Sequence, residues 1–386
     1  GEVTLKRTLT ARHLVLLGVG AVIGAGIFVL TGQAAANHAG PAIMLSFVLA
    51  GLACAFAGLC YAEFAAMMPV SGSAYSYSYA TLGEFTAWFI GWCLVLEYLF
   101  ASSTVAVGWS GYLVSFLTTT LGLPFPAELA TAPITWTNGE FVRTAGVINL
   151  PAVLIVAAVS GLCYVGITQS AFANAIVVAI KVAVIAAFLG FGFQYVDPAN
   201  WTPFIPENTG PGQFGTEGVL RAATIVFFAY IGFDAVSTAA GEAKNPQRDM
   251  PIGILGSLVV CTVLYVLFAY VLSGVATVED FRSTGREASV AFAISTYMQG
   301  YEWLSRAVTV AILAGFSSVI LVMLLGQSRV FYSMSHDGLV PAVFSDIHPK
   351  YRTPWKSNML FFGFTALFAA FVPVDVVGEM TSIGTL

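Results

Sequence analysis

Two runs of residues differ from the apolar sequence that surrounds them. Gly18-Val-Gly20-Ala-Val22-Ile-Gly24-Ala25-Gly26-Ile-Phe28 sets four glycines into one apolar stretch, and Phe227-Phe228-Ala229-Tyr230-Ile231-Gly232-Phe233-Asp234 places a glycine and a carboxylate in mid-run. Glycine inside a helix costs about 1 kcal/mol against alanine. A helix that opens in hydrocarbon strands N–H and C=O groups, each costing several kcal/mol unless satisfied. Such a break persists only where something polar fills it, and a zwitterionic amino acid suits both sides. A half-helix starting after Gly26 would offer free amides and a positive dipole end to a carboxylate. A half-helix ending near Phe228 and Ala229 would offer carbonyls to an ammonium group. Helix packing is the alternative for the first run, since Gly20 and Gly24 form a GxxxG pair. For Gly232 the alternative is a tolerated kink. A dinucleotide fingerprint fails, because Gly18-x-Gly20-x-x is followed by Ile23.

Three ionisable side chains lie inside apolar runs. Lys181 sits in Asn174-Ala-Ile-Val-Val-Ala-Ile-Lys181-Val-Ala-Val-Ile, Glu97 in Leu94-Val-Leu-Glu97-Tyr98, and Asp234 just past the second glycine break. A charge in the membrane interior marks a functional position by default. An ammonium stripped of water releases its proton more readily, as a proton carrier needs. The competing role for Lys181 is a fixed clamp that donates to the carbonyls of the loosened first span. Glu97 and Asp234 could pair with Lys181 or face a cationic substrate side chain, and Glu97 could equally be a hydrogen-bonded strut. Glu63, near the end of the second span, reads as part of an inner gate or loop.

The elements that must hold these residues follow from composition. Of the 386 residues, 58% are hydrophobic and only 9% charged, whereas a soluble domain carries roughly a quarter charged residues. Apolar runs long enough to cross a bilayer lie near 13–31, 42–68, 84–120, 149–167, 170–194, 218–240, 253–277, 305–334 and 356–373, with a tenth opening near Asp375. Surface or re-entrant helices are expected over 69–82 and 288–300. The glycine-rich runs are the first members of two five-span halves, 1–194 and 218–386. Five is odd, so the second half is inverted, and interrupted segments at matching positions of inverted halves point to a transporter's midplane site. The chain reads as cut short within its tenth span, so C-terminal helices are expected to be missing. Exposed surface there could recruit a small membrane accessory subunit.

Basic residues give the orientation. With the N-terminus in the cytoplasm, Lys6, Arg7, Arg12, Lys244, Arg248, Arg329, Lys350, Arg352 and Lys356 fall inside. Arg143, Arg221, Arg282, Arg286 and Arg306 fall outside. The five cysteines lie in apolar runs without a CxxC pair, and the four histidines have no metal spacing, so neither metal nor cofactor is expected. No basic face suits nucleic acid. No HExxH, GxSxG or Walker motif is present, which excludes the common catalytic sets. A channel would need a continuous polar lining that these isolated charges do not supply.

Several stretches together resemble the amino acid–polyamine–organocation superfamily, and within it the cationic amino acid transporter family and its bacterial members. Gly18–Gly32 resembles the family's first span. Leu59–Tyr79 resembles its second span and following loop, Glu242–Ile252 its loop after span six, and Ser328–Pro341 with Arg352-Thr353-Pro354 the end of span eight and its loop. The resemblance implies an all-α polytopic membrane protein of leucine-transporter-type fold. It has two inverted five-helix repeats, with helices 1 and 6 broken in mid-membrane, and works by alternating access. Carried over, Val22, Gly24, Ala25 and Gly26 would hold the substrate's backbone groups from span one. Phe228, Ala229 and Ile231 would do so from span six, with Phe228 also able to gate. Ala25 lacks the hydroxyl that many relatives carry there, so carboxylate recognition would rest on backbone amides. Proton-coupled bacterial relatives are similar in having a lysine on span five. The expected activity is proton-coupled transport of an L-amino acid through the cell membrane. The substrate is small and neutral such as alanine, or cationic such as arginine. Phe316 in Gly315-Phe316-Ser317-Ser318 would shrink the side-chain pocket if it faces the substrate; otherwise it faces lipid or another helix. A proton-independent exchanger or facilitated carrier, or a receptor on the same fold, are the rival readings.

Overall fold

The computed structural model describes residues 4–24, 26–137, 140–283, 289–373 and 376. Thirteen α-helices lie among them. The first expected span is split into α1 (Ala11–Val22) and α2 (Gly26–Ala34), and α3 (Ile43–Met67) and α5 (Glu84–Ser115) follow as the second and third. Spans four and five are α6 (Leu150–Val165) and α7 (Ile167–Gly192). The sixth begins as α8 (Gly215–Val226) and continues past a break as a 3-10 helix over Phe233–Glu242. Spans seven, eight and nine are α9 (Pro246–Val275), α12 (Glu302–His336) and α13 (Trp355–Phe371). Short helices α4 (Ala74–Leu82) and α11 (Ser289–Tyr297) occupy the two surface segments expected from the sequence, and α10 (Val278–Ser283) adds a third. Six helical stretches among the described residues are long and apolar enough to cross a bilayer. The tenth span near Asp375, and Arg286, lie outside the described residues.

The helices form because long runs of Leu, Ala, Val and Ile satisfy every backbone group internally, as hydrocarbon requires. Packing runs between counterparts five spans apart: α3 on α9, α5 on α12, and α6 on α13. The two broken spans likewise touch, α1 against Phe233–Glu242. That pairing is what an axis relating two inverted halves produces. The central helix is α12, packed on α1, α5, α6, α7 and α13, and its Val319–Leu325 stretch is buried throughout.

One element departs from an all-helical reading. A two-stranded antiparallel hairpin, β1 (Ile134–Thr137) and β2 (Glu140–Arg143), sits in the loop between α5 and α6, with Ile134 opposite Arg143. Its Thr-rich, β-branched sequence suits a strand, but the run is too short to register against the helical signal on either side.

Two stretches that resemble transporter loops meet in the interior. Arg329 of α12 donates from Nε and Nη2 to the two carboxylate oxygens of Glu242, at 3.1 and 3.0 Å. Both side chains are only 1% exposed. A planar guanidinium fork on a carboxylate is the geometry that lets such a pair survive burial. It ties the end of the broken sixth span to the middle of the scaffold.

Candidate functional site

Both glycine-rich runs open where the sequence says they should. Helix α1 ends at Val22, Ile23 is extended (φ −78°, ψ 90°), and α2 restarts at Gly26. In the sixth span, α8 stops at Val226 and a 3-10 turn covers Phe227–Tyr230. Ile231 is then extended (ψ 133°), and Gly232 takes φ +115°. A side chain at Gly232 would be strained, and its Cβ would also lie 2.9 Å from the Ala21 carbonyl oxygen. Glycine is therefore needed twice over at that one position.

The two breaks abut. A Cβ at Gly26 would lie 3.4 Å from the Ala229 Cβ. A third element closes the group, because Gly315 of α12 faces Gly24: a Cβ there would come within 3.1 Å of the Gly24 carbonyl carbon. Gly18 and Gly20 serve packing instead. Ser257 of α9 and Asn174 of α7 press against them, leaving no room for a methyl group, and Asn174 Nδ2 donates to the Leu16 carbonyl at 2.9 Å.

Tyr265 of α9 ties the breaks together. Its buried hydroxyl lies 2.9 Å from the Val22 carbonyl oxygen and 2.7 Å from that of Ala229, so its one proton serves either loosened carbonyl. Its ring is wedged between Phe47 and Tyr230, with centroids 5.4 and 5.1 Å away. The sequence reading passed over this residue. The available signal was a phenol in mid-span, which needs a hydrogen-bond partner where water is absent.

Lys181 is fully buried. Its Nζ donates to Ile23 O at 2.5 Å, Ser318 Oγ at 2.6 Å and Gly20 O at 3.2 Å. An ammonium has three protons, and all three go to uncharged acceptors. Ser318 Oγ lies 2.7 Å from the Gly20 carbonyl as well. Lysine and serine thus hold the carbonyl end of α1 where its helical partners run out, which is the clamp geometry. Asp234 is engaged elsewhere, accepting from Tyr98 Oη at 3.0 Å. Glu97, one residue before Tyr98 on α5, is buried at 9% exposure.

The remaining candidates divide. Val22 and Ala229 are buried at the breaks, and both carbonyls face Tyr265 rather than standing free. The Phe228 carbonyl accepts from Ile231 N at 3.3 Å, and the Phe228 ring is 59% exposed. Gly24 N donates back to Val22 O at 3.0 Å. Ala25 lies outside the described residues. The first turn of α2 supplies amides without intrahelical partners. Phe316 packs on α5: its ring centroid is 5.7 Å from that of Tyr112, and it covers Gly108. The residue of α12 beside the first break is the neighbouring Gly315, one position from the expected one. Because the helix turns about 100° per residue, that single step moves the large ring off the break and leaves a glycine there.

Comparison with known proteins agrees with this architecture. The amino acid permease family model matches residues 13–384. The branched-chain amino acid permease BcaP of Bacillus subtilis is 47% identical over 388 aligned positions, spanning all of this chain and 79% of the relative. The methylthioribose transporter of the same organism is 43% identical, covering 99% of this chain and 79% of its own. The vacuolar cationic amino acid transporter 4 of Arabidopsis thaliana is 36% identical over the whole chain and 62% of that relative. Among solved structures, a Na+-coupled sialic acid symporter of leucine-transporter-type fold superposes with a TM-score of 0.60 at 13% identity. It covers 98% of this chain and 76% of the symporter.

Proposed function

The chain belongs to the amino acid permease family of the amino acid–polyamine–organocation superfamily, and on that premise we propose that it is a proton-coupled symporter of neutral L-amino acids in the cell membrane. It is a multi-pass membrane transporter and not an enzyme. The observation that carries the finer reading is the contact of the two helix breaks at Gly26 and Ala229. The amides of Gly26 and the following turn take the substrate carboxylate, with Val22, Gly24 and Ala25 beside them. The carbonyls of Phe228 and Ala229 each keep a second lone pair for the substrate ammonium, and Ile231 lines the opposite wall. Phe228 closes over the bound molecule. Tyr265 and Lys181 keep the breaks open when the site is empty, so the substrate meets preorganised groups. The halves 1–194 and 218–386 rock about this site, with the N-terminus in the cytoplasm.

The side-chain pocket next to Gly24 is bounded by Gly315 and by Val319, whose Cγ2 lies 3.2 Å from where a Gly24 Cβ would sit. Small and apolar walls suit an aliphatic side chain, and the Bacillus subtilis relative is named for branched-chain amino acids. A cationic substrate is the second reading. It is supported by the carboxylates of Glu97 and Asp234 close to the sixth-span break, and by plant relatives named for cationic amino acids. Competition decides between them: labelled L-isoleucine uptake into proteoliposomes should be blocked by excess L-valine and L-alanine and ignore L-arginine. Block by arginine alone would reject the neutral pocket.

Three substitutions test the site. Tyr265→Phe removes the proton shared by two buried carbonyls, a loss of roughly 1–3 kcal/mol. Apparent KM should rise while helix content by circular dichroism stays unchanged. An unaltered KM would remove Tyr265 from the account. Gly315→Ala overpacks α12 against Gly24, at about 1–3 kcal/mol. Substrate affinity should fall about tenfold, whereas Phe316→Ala should leave substrate selectivity as it was. A selectivity change in Phe316→Ala, with none in Gly315→Ala, would reverse the assignment.

A further inference from the structure

Residues 4–9 run as an extended strap beneath the broken sixth span. Thr8 N and Leu9 N donate to the Glu242 carbonyl at 2.9 and 3.0 Å, and Lys244 N donates to Leu9 O at 2.9 Å. Arg7 Nη1 donates to the carbonyls of Ala240 and Ala243, at 3.2 and 3.0 Å. From the loop between α12 and α13, Arg352 donates to Thr4 O, Thr4 Oγ1 and Leu5 O at 2.8, 3.0 and 3.2 Å. Arg352 holds φ at +55° to do so, a left-handed conformation that a long side chain adopts only under constraint.

Strap, α4 loop and the end of α12 line an open cavity of about 830 Å³. Lys6, Arg7 and Arg352 all line it. None of the three makes a salt bridge among the described residues, where the pairs involve Arg248, Arg282, Arg329, His336 and Lys356. The acceptors that Arg7 and Arg352 touch are all uncharged oxygens. One carboxylate faces them, Asp337, which already accepts from Tyr75 Oη at 2.9 Å and lies 3.7 Å from His336 Nδ1. The loop before α4 and the helix itself add Met68, Pro69, Val70 and Ala80 to the lining, together with the hydroxyl-bearing Ser71, Ser76 and Tyr79. Close by in sequence, Met67 at the end of α3, Leu82 at the end of α4 and Phe85 in the first turn of α5 are 70, 65 and 80% exposed.

We propose that this cavity is a binding site for a phosphate-class anion, supplied as the headgroup of an anionic phospholipid whose acyl chain lies along Met67, Val70, Leu82 and Phe85. The chemistry follows from the walls. Three cations and one carboxylate among the described lining residues leave a net positive site that suits an anion, guanidinium groups match phosphate oxygens, and the exposed apolar side chains of Met67, Val70, Leu82 and Phe85 suit an acyl chain better than a free ion. Basic pockets at the cytoplasmic face of membrane proteins recognise lipid headgroups on the same terms. The site would staple the strap to the α4 loop and α12 while occupied. It does not depend on which substrate the broken helices hold.

The test is the melting temperature of the full chain in phosphatidylcholine nanodiscs as phosphatidylglycerol replaces part of the lipid. A rise of about 3 °C or more is expected. Lys6→Gln, which removes no hydrogen bond of the strap, should lose a large part of that rise, and Lys6→Gln with Arg7→Lys should lose more. Lys350→Gln, whose residue does not line the cavity, should retain it. No rise, or an equal loss in Lys350→Gln, would overturn the proposal in favour of no site or diffuse surface attraction. Millimolar inorganic phosphate in pure phosphatidylcholine discs separates the sources. No response supports the lipid, and a full response sensitive to Lys6→Gln would overturn the lipid assignment in favour of a free anion.

Discussion

Lys181→Ala abolishes uptake driven by an inward proton gradient, while the purified protein keeps its helix content and its elution volume. The expectation rests on where the ammonium sits. Its three protons go to Gly20 O, Ile23 O and Ser318 Oγ, which places a titratable group on the carbonyl end of α1. Under the proposed coupling, loss of one proton there would weaken the hold on the first break and regaining it would restore the hold, so that substrate and proton would bias one movable element. A clamp that never titrates predicts something different. Under that reading Lys181→Arg, which keeps a charge that cannot be lost, would transport with its pH dependence intact. Under the coupling reading Lys181→Arg should bind substrate but fail to accumulate it. Gradient-driven accumulation by Lys181→Ala at the wild-type rate would remove this residue from the mechanism.

Arg329→Met destabilises the protein by roughly 3–5 kcal/mol, because it leaves the Glu242 carboxylate buried without a partner. Glu242 Oε1 and Oε2 each receive one guanidinium hydrogen bond, and both side chains are shut off from solvent. The charge left behind cannot swing to water. The double variant Arg329→Met with Glu242→Gln should recover most of the loss, since replacing a buried pair by matched neutral groups is often close to neutral. Thermal unfolding in detergent measures both. Equal destabilisation of the single and double variants would mean that the pair holds its helices by something other than charge.

What the sequence carried, and what it did not, follows from the range of each signal. Span positions were legible because each depends on a run of some twenty residues. The helix breaks were legible because glycine against a hydrocarbon background is a local contradiction, and because two such runs fell at matching places. The register of α12 was not, since nothing local distinguishes Gly315 from Phe316 as the residue that faces Gly24. Tyr265 went unseen for a different reason: its two acceptors are 243 and 36 residues away, and among so many aromatic residues it reads as filler. The Glu242–Arg329 pair joins residues 87 apart. Both ends stood in stretches that resembled family loops, yet resemblance alone did not say that they meet. The reading of free carbonyls at Phe228 and Ala229 was half right in physical terms. Those carbonyls are loosened from the helix, but Ile231 N and Tyr265 Oη already occupy one lone pair of each.

The central claim is that an amino acid and a proton move together through the paired breaks. Uptake of labelled L-isoleucine into proteoliposomes, with no amino acid inside, measures it under an inward proton gradient and again with the gradient collapsed by an ionophore. The account predicts accumulation above the external concentration in the first case and equilibration at best in the second. Uptake that ignores the gradient and needs preloaded amino acid would contradict it and make the protein an exchanger.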